Sequence, residues 1–175
     1  MNRCIKEENI FTGKRFSVKR KIYETPEKKE YVRECVETAS AAVVLPITDE
    51  NEVIFVKQYR EVIGEETLEL PAGILENDEE PAETAKRELE EETGFCSNSL
   101  IPLINYYVSC GYTNEKIYIY LAKDLKIGQS NYDTDEQIQE VVKIPLEECY
   151  RLQKENYFKH ANTNVALLMN KNIEK

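Results

Sequence analysis

Residues 87–92 read Arg-Glu-Leu-Glu-Glu-Glu, and three of these carboxylates, Glu88, Glu91 and Glu92, recur at spacings of three and four. On a helix they share one arc of about 100°, and Ala82, Ala85 and Leu89 lie beside that arc, on the flank expected to be buried. Like charges so spaced oppose helix formation by about 0.2–0.5 kcal/mol per pair, and by more beside an apolar wall where solvent is scarce. A hard divalent cation removes the penalty, and an all-oxygen donor set suits Mg²⁺ or Mn²⁺. The chemistry indicated is metal-assisted. Glu90 lies on the opposite side of the helix and is expected to be solvated. The chain has one histidine, His160, which argues against a histidine metal site and against a Ser/His or Cys/His nucleophile. Carboxylates are left to carry the catalysis.

The elements that position this arc follow from punctuation and periodicity. Pro81 suits the first helical position and Gly94 a left-handed stop, so the acidic helix is expected over about 81–93. Before it, residues 39–47 form a nearly continuous apolar run, as in a buried strand, and 52–60 a second strand after a turn at 49–51. Thr67–Leu70 then leads into Pro71-Ala72-Gly73. After the helix, strands are expected at about 99–109, 115–122 and 137–143, with a loop containing Gly128 and Asn131 between the last two. Helices are expected from Pro145 to about Glu155 and over 161–171. Strands interspersed with helices in this order predict an α/β or α+β sandwich. Residues 15–23 and 30–37 alternate as two further strands around a turn at Pro26-Glu27-Lys28. They are polar on one face, carry much of the basic charge, and predict an N-terminal sheet, residues 1–38, outside a main domain of residues 39–175.

The acidic run also sits in a fixed frame. Gly73 precedes Glu79 by six positions, Arg87-Glu88 follows eight positions later, and Gly94-Phe95 closes the stretch. With Leu89, Glu91 and Glu92 this matches the Nudix box, G-x5-E-x7-R-E-U-x-E-E-x-G-U, without departure over 73–95, and the chain resembles a Nudix hydrolase. That resemblance implies an α/β/α sandwich with a mixed sheet, and hydrolysis of a pyrophosphate bond in a nucleoside diphosphate derivative with a divalent metal, Mg²⁺ or alternatively Mn²⁺. Glu88 and Glu92 would be the principal metal ligands and Glu91 a third, so that Glu91 and Glu92 count as catalytic. The carbonyl of Ala72 would complete the site. Gly73, Glu79, Arg87 and Gly94 would be structural, an Arg87–Glu79 salt bridge fixing the loop against the helix.

Segments outside the box, QYR at 58–60, GEETLELPAG at 64–73, GYTNEKIYIYLA at 111–122, DTDEQIQEVVKIPLEE at 133–148 and KHANTNVALL at 159–168, are similar to the ADP-ribose pyrophosphatase branch of that family. This implies ADP-ribose or a related nucleotide sugar as substrate, with AMP and a sugar phosphate as products. Other readings are a different nucleotide sugar, a dinucleotide coenzyme, or a module that binds ADP-ribose without cutting it. Arg60 would face the phosphates or lock the LEL segment, with Glu69 its partner or a group of the metal shell. Arg33 would reach phosphate or ribose across a dimer, and Glu115 would contact metal or substrate. Glu136 would be the general base, with Asp135 and Glu140 its competitors. The N-terminal strands would pair or swap between two subunits of a homodimer. Two departures stand out: Cys110 occupies the place of an expected proline, and the chain lacks Trp, leaving Tyr23 or Tyr31 to stack a base.

Composition agrees with this class. A chain of 175 residues with 41% hydrophobic residues supports one domain with a small appendage, and a net charge of −10 argues against a nucleic-acid surface. Five dispersed cysteines without a CxxC pair read as reduced thiols. No apolar run suits a membrane span or a signal peptide, so the cytoplasm is the expected location.

Overall fold

The strands buried on both faces all lie within residues 41–60 and 116–123. The computed structural model describes residues 1–76, 78–128 and 138–173, with only the backbone at 138 and 139. These fall into two compact units, residues 1–40 with 106–117, and residues 41–105 with 118–175.

In the first unit β1 (Arg3–Thr12), β2 (Phe16–Glu24) and β3 (Glu30–Thr38) form an antiparallel sheet in that order. The sequence predicts only the latter two. β1 escapes because all ten of its residues are exposed, and register irregularities at Cys4/Lys6 and Asn9/Phe11 break the period-two pattern that marks a strand. The β2–β3 turn falls where Pro26-Glu27-Lys28 predicts it, with Lys28 in the left-handed region at φ 64°. Across these strands Tyr23 stacks on Tyr31 at 5.6 Å, and the Arg33 guanidinium lies 4.7 Å from the Tyr31 ring. The 106–117 segment joins this sheet through Val36 N–H to Tyr112 O at 2.7 Å and Thr38 N–H to Asn114 Oδ1 at 2.9 Å. Exposed Cys110 lies inside a turn closed by the N–H groups of Tyr112 and Thr113 on Ser109 O.

The second unit contains β4 (Ala41–Pro46), β5 (Glu52–Arg60), β6 (Glu65–Glu69), β7 (Ala72–Ile74), α1 (Pro81–Thr93) and β8 (Phe95–Cys96), followed by most of β9 (Ser99–Tyr107) and β10 (Lys116–Lys123). β11 (Lys126–Ile127), β12 (Ile138–Pro145), α2 (Leu146–Lys154) and α3 (Ala161–Ile173) complete it. One sheet runs β7-β4-β10-β9 and another β12-β5-β6, with a short β11-β8 pair. Ala85 and Leu89 of α1 pack on Ala42 and Val44 of β4 and on Ala122 of β10. Val43 and Leu45 point to the opposite face and are fully buried as well, so β4 is covered on both sides. α2 packs on β5 and β12, and α3 on β4. This is the mixed α/β sandwich anticipated above, with the small antiparallel sheet beside it in sequence. No described helix is long and apolar enough to cross a membrane.

Candidate active site

Helix α1 starts at Pro81, which lacks the N–H that a first turn leaves unpaired, and stops at Gly94, whose φ of 73° lets its N–H reach Glu90 O at 2.9 Å. Between these stops the acidic arc faces β7. Glu88 is 5% exposed and Glu92 2%, while the Glu91 side chain is 36% exposed. β7 is three residues long and owes its place to pairing with β4, Ala72 opposite Val43 and Gly73 opposite Ala42. Through it the helix is read at close range. The Ala72 N–H donates to Glu92 Oε2 at 3.1 Å, and the Glu88 carboxylate lies over Gly73, where an added Cβ would come within 1.8 Å of Oε1. Any side chain there would force the Glu88 carboxylate to move.

Arg87 answers more than the expected salt bridge. Its Nε and Nη2 donate to Glu79 at 3.2 Å each and Nη2 also to Ile74 O at 3.3 Å, while Nη1 donates to Glu88 at 2.6 Å and Glu91 at 3.0 Å. One guanidinium thus serves three carboxylates and ties α1 to the 74–79 loop. Glu90, expected to be solvated, is half-buried, and an added Cβ at Gly128 would come 2.6 Å from its Oε1.

Arg87 hydrogen bonds hold the Glu79 carboxyl down at about 2, against a small cost of burial and with help from Thr84 Oγ1 and the Glu76 N–H. A depressed carboxyl stabilises the fold fully above its unfolded value of ~4.3 and loses that contribution as pH falls through its folded value. Wild-type protein is therefore expected to exceed Glu79→Gln in thermal midpoint at neutral pH, the gap closing between pH ~4.3 and about 2. A gap unchanged across that window in a pH series of melts would assign the effect to something other than this ion pair.

As they stand, no three His, Cys, Asp or Glu side chains among the described residues are grouped to hold an ion. The donor chemistry nevertheless fits a hard divalent cation. Each candidate atom is an oxygen, two of the carboxylates are almost fully buried, and one arginine carries the counter-charge for Glu88 and Glu91. Glu88, Glu91, Glu92 and the Ala72 carbonyl could supply its ligands.

Arg60 and Glu69 meet as a bidentate pair, Nε to Oε1 at 2.8 Å and Nη2 to Oε2 at 2.7 Å. Glu69 is 2% exposed. Burial pushes its carboxyl up, but Arg60, His160 and Thr67 outweigh this and leave it below the ordinary range. Thr67 and His160 are the neighbours that sequence reasoning missed. Thr67 could have been found from its alternation with Glu69 on β6, whereas His160 comes from the loop before α3, far along the chain. Arg33 and Glu115 belong to the other compact unit. There Arg33 covers Tyr31, and the Glu115 carbonyl accepts from Val108 N–H at 3.0 Å. Glu136 and Asp135 lie outside the described residues. Glu140 is exposed on β12 opposite Lys57.

Residues 37–164 match the NUDIX domain family model. The chain is 36% identical over 166 residues to the ADP-ribose pyrophosphatase of Bacillus subtilis (strain 168), covering 94% of this chain and 90% of that one. It is 35% identical over 167 residues to the methanol dehydrogenase activator of Bacillus methanolicus, with the same coverage. A crystal structure of an ADP compounds hydrolase matches 98% of this chain and 92% of its own, with a TM-score of 0.86 and 25% identity.

Proposed function

The chain belongs to the Nudix family, and from that premise we propose that it hydrolyses the pyrophosphate bond of ADP-ribose or a related nucleoside diphosphate sugar, releasing AMP and a sugar phosphate. The observation that carries this reading is the buried pair Glu88 and Glu92, set against Gly73 and Ala72 by a backbone N–H and by close approach of the Glu88 carboxylate to the glycine. The likeness to named ADP-ribose pyrophosphatases supports the choice of substrate.

Glu88, Glu91, Glu92 and the Ala72 carbonyl hold a divalent ion, Mg²⁺ or in its place Mn²⁺. When bound, such an ion draws charge off the phosphoryl oxygens and makes an attacking water more acidic. Arg87 and Glu79 keep the loop and helix in register, with Gly94 closing the helix. Glu136 takes the proton from the water, Asp135 and Glu140 being the alternatives. Arg60, anchored by Glu69, meets the phosphates. Arg33 reaches phosphate or ribose across the dimer, Glu115 contacts metal or substrate, and Tyr23 or Tyr31 stacks the base. The N-terminal strands, residues 1–38, join two subunits in a homodimer, and the protein works in the cytoplasm on a small molecule.

A panel of ADP-ribose, NADH, nucleotide sugars and nucleoside triphosphates, scored for released monophosphate with Mg²⁺, tests the reading. ADP-ribose is expected to be cut, and a chelator to stop the reaction. Hydrolysis of triphosphates alone would overturn the substrate assignment, and tight ADP-ribose binding without turnover would make the chain a sensor. The name of the Bacillus methanolicus relative favours a second reading, in which the chain activates another enzyme; faster turnover of a methanol dehydrogenase on adding the purified protein would support it.

A further inference from the structure

His160, the chain's one histidine, takes no part in the chemistry above, yet it faces the anchor of a substrate-side arginine. A carboxylate offers about four acceptor directions. At Glu69, Oε1 accepts from Arg60 Nε at 2.8 Å and Thr67 Oγ1 at 2.6 Å, and Oε2 accepts from Arg60 Nη2 at 2.7 Å. The fourth direction is approached by His160 Nδ1, 3.2 Å from Oε2. That buried nitrogen is close enough to bond but out of line, so it makes no hydrogen bond as placed.

Its tautomer follows from its neighbours. The Asn162 amide Nδ2 lies 3.5 Å from His160 Nε2, and an amide nitrogen can only donate, so Nε2 accepts and Nδ1 carries the proton. The carboxylate favours the same choice, because a bare lone pair on Nδ1 would face a negative oxygen. Burial lowers the imidazole's pKa, outweighing the pull of Glu69, so the ring presents a neutral N–H dipole instead of a second cation competing with Arg60. The backbone that bears it is firmly placed. Phe158, 4% exposed, stacks on Phe55 at 5.3 Å, and Asn164 Nδ2 donates to the carbonyls of Phe158 and His160 at 2.9 and 3.1 Å.

We propose that His160 is a positioning residue, whose Nδ1–H, held 3.2 Å from Oε2, sets a dipole against the open side of Glu69 and so fixes the plane in which that carboxylate presents the Arg60 fork to substrate. The proposal rests on the reading of Arg60 as a phosphate-side residue. Without the Nδ1–H, Oε2 keeps only its Arg60 bond among the described residues, and that end of the carboxylate can tip about the Cγ–Cδ bond. The bidentate guanidinium tips with it, and a small misplacement of a binding group is costly.

The test uses H160N, H160Q and H160F in steady-state hydrolysis of ADP-ribose with Mg²⁺, alongside R60K. Asparagine places an amide N–H near the Nδ1 position, glutamine near Nε2, and phenylalanine keeps the ring without a donor. Losing this donor beside a charged group should raise KM about tenfold in the Gln and Phe variants, with kcat nearly unchanged, while Asn stays close to wild type. Calorimetric binding of ADP-ribose to the chelator-treated protein should give the same ranking without turnover. Wild-type KM in H160F, or an Asn variant as impaired as Phe, would show that only packing matters and overturn the proposal. A normal KM in R60K would overturn the reading of Arg60 and the proposal with it. A wild-type protein inactive on ADP-ribose would instead count against the proposed function, and the binding series would still decide the role of His160.

Discussion

Replacing Glu92 by glutamine is expected to lower kcat by about 10³-fold, corresponding to ~4 kcal/mol of lost transition-state stabilisation, while the fold persists. Both halves of this expectation come from the surroundings of one side chain. Glu92 is 2% exposed and its Oε2 accepts the Ala72 N–H at 3.1 Å. Glutamine keeps an acceptor oxygen for that N–H and nearly the same volume, so β7 stays against the helix. The charge is what disappears, and with it a ligand that a hard cation prefers over a neutral amide. Removing one of several like charges from the arc also relieves repulsion, so the thermal midpoint should hold or rise. Turnover on ADP-ribose, Mg²⁺ affinity by calorimetry and a melt decide the matter together. Near-normal turnover would remove Glu92 from the metal site.

Gly73→Ala should be almost as damaging, although no charge changes. The added methyl would lie 1.8 Å from Glu88 Oε1 and 2.0 Å from its Cδ, far inside contact distance. The carboxylate must move, yet it is 5% exposed and held by Arg87 Nη1 at 2.6 Å, so it has little space to take up. A loss of about 10²-fold in kcat is expected, the cost of misplacing a proposed metal ligand, with about 1–3 kcal/mol of stability lost to overpacking. Turnover close to wild type would mean that Glu88 adapts and that the glycine serves the backbone alone. A large loss of stability with turnover preserved per folded molecule would point the same way.

These two variants lie in the part of the chain that was most legible. The acidic helix could be bounded from Pro81 and Gly94 because both act through local backbone geometry, and its buried flank followed from spacing alone. β7 was invisible for the opposite reason: three residues with a glycine have no pattern of their own, and only pairing with β4 makes them a strand. β1 was hidden by its two register irregularities. Within the site, the Arg87–Glu79 pair was readable from the frame, but the reach of the same guanidinium to Glu88 and Glu91 needed the third dimension. Glu90 was misjudged because helical angle says which way a residue points and not what comes to meet it; here Gly128 does. The grouping of Thr67, Glu69 and His160 depends on a loop folding back from the far end of the chain, which no local rule reports.

The sharing of Arg87 among Glu79, Glu88 and Glu91 has a consequence for the order of events in the protein's life. Small metal domains that fold only around their ion acquire structure and cargo in a single step. Here an internal counter-ion, covalently part of the chain, already quiets the acidic arc, so maturation and metal loading can be separate in time.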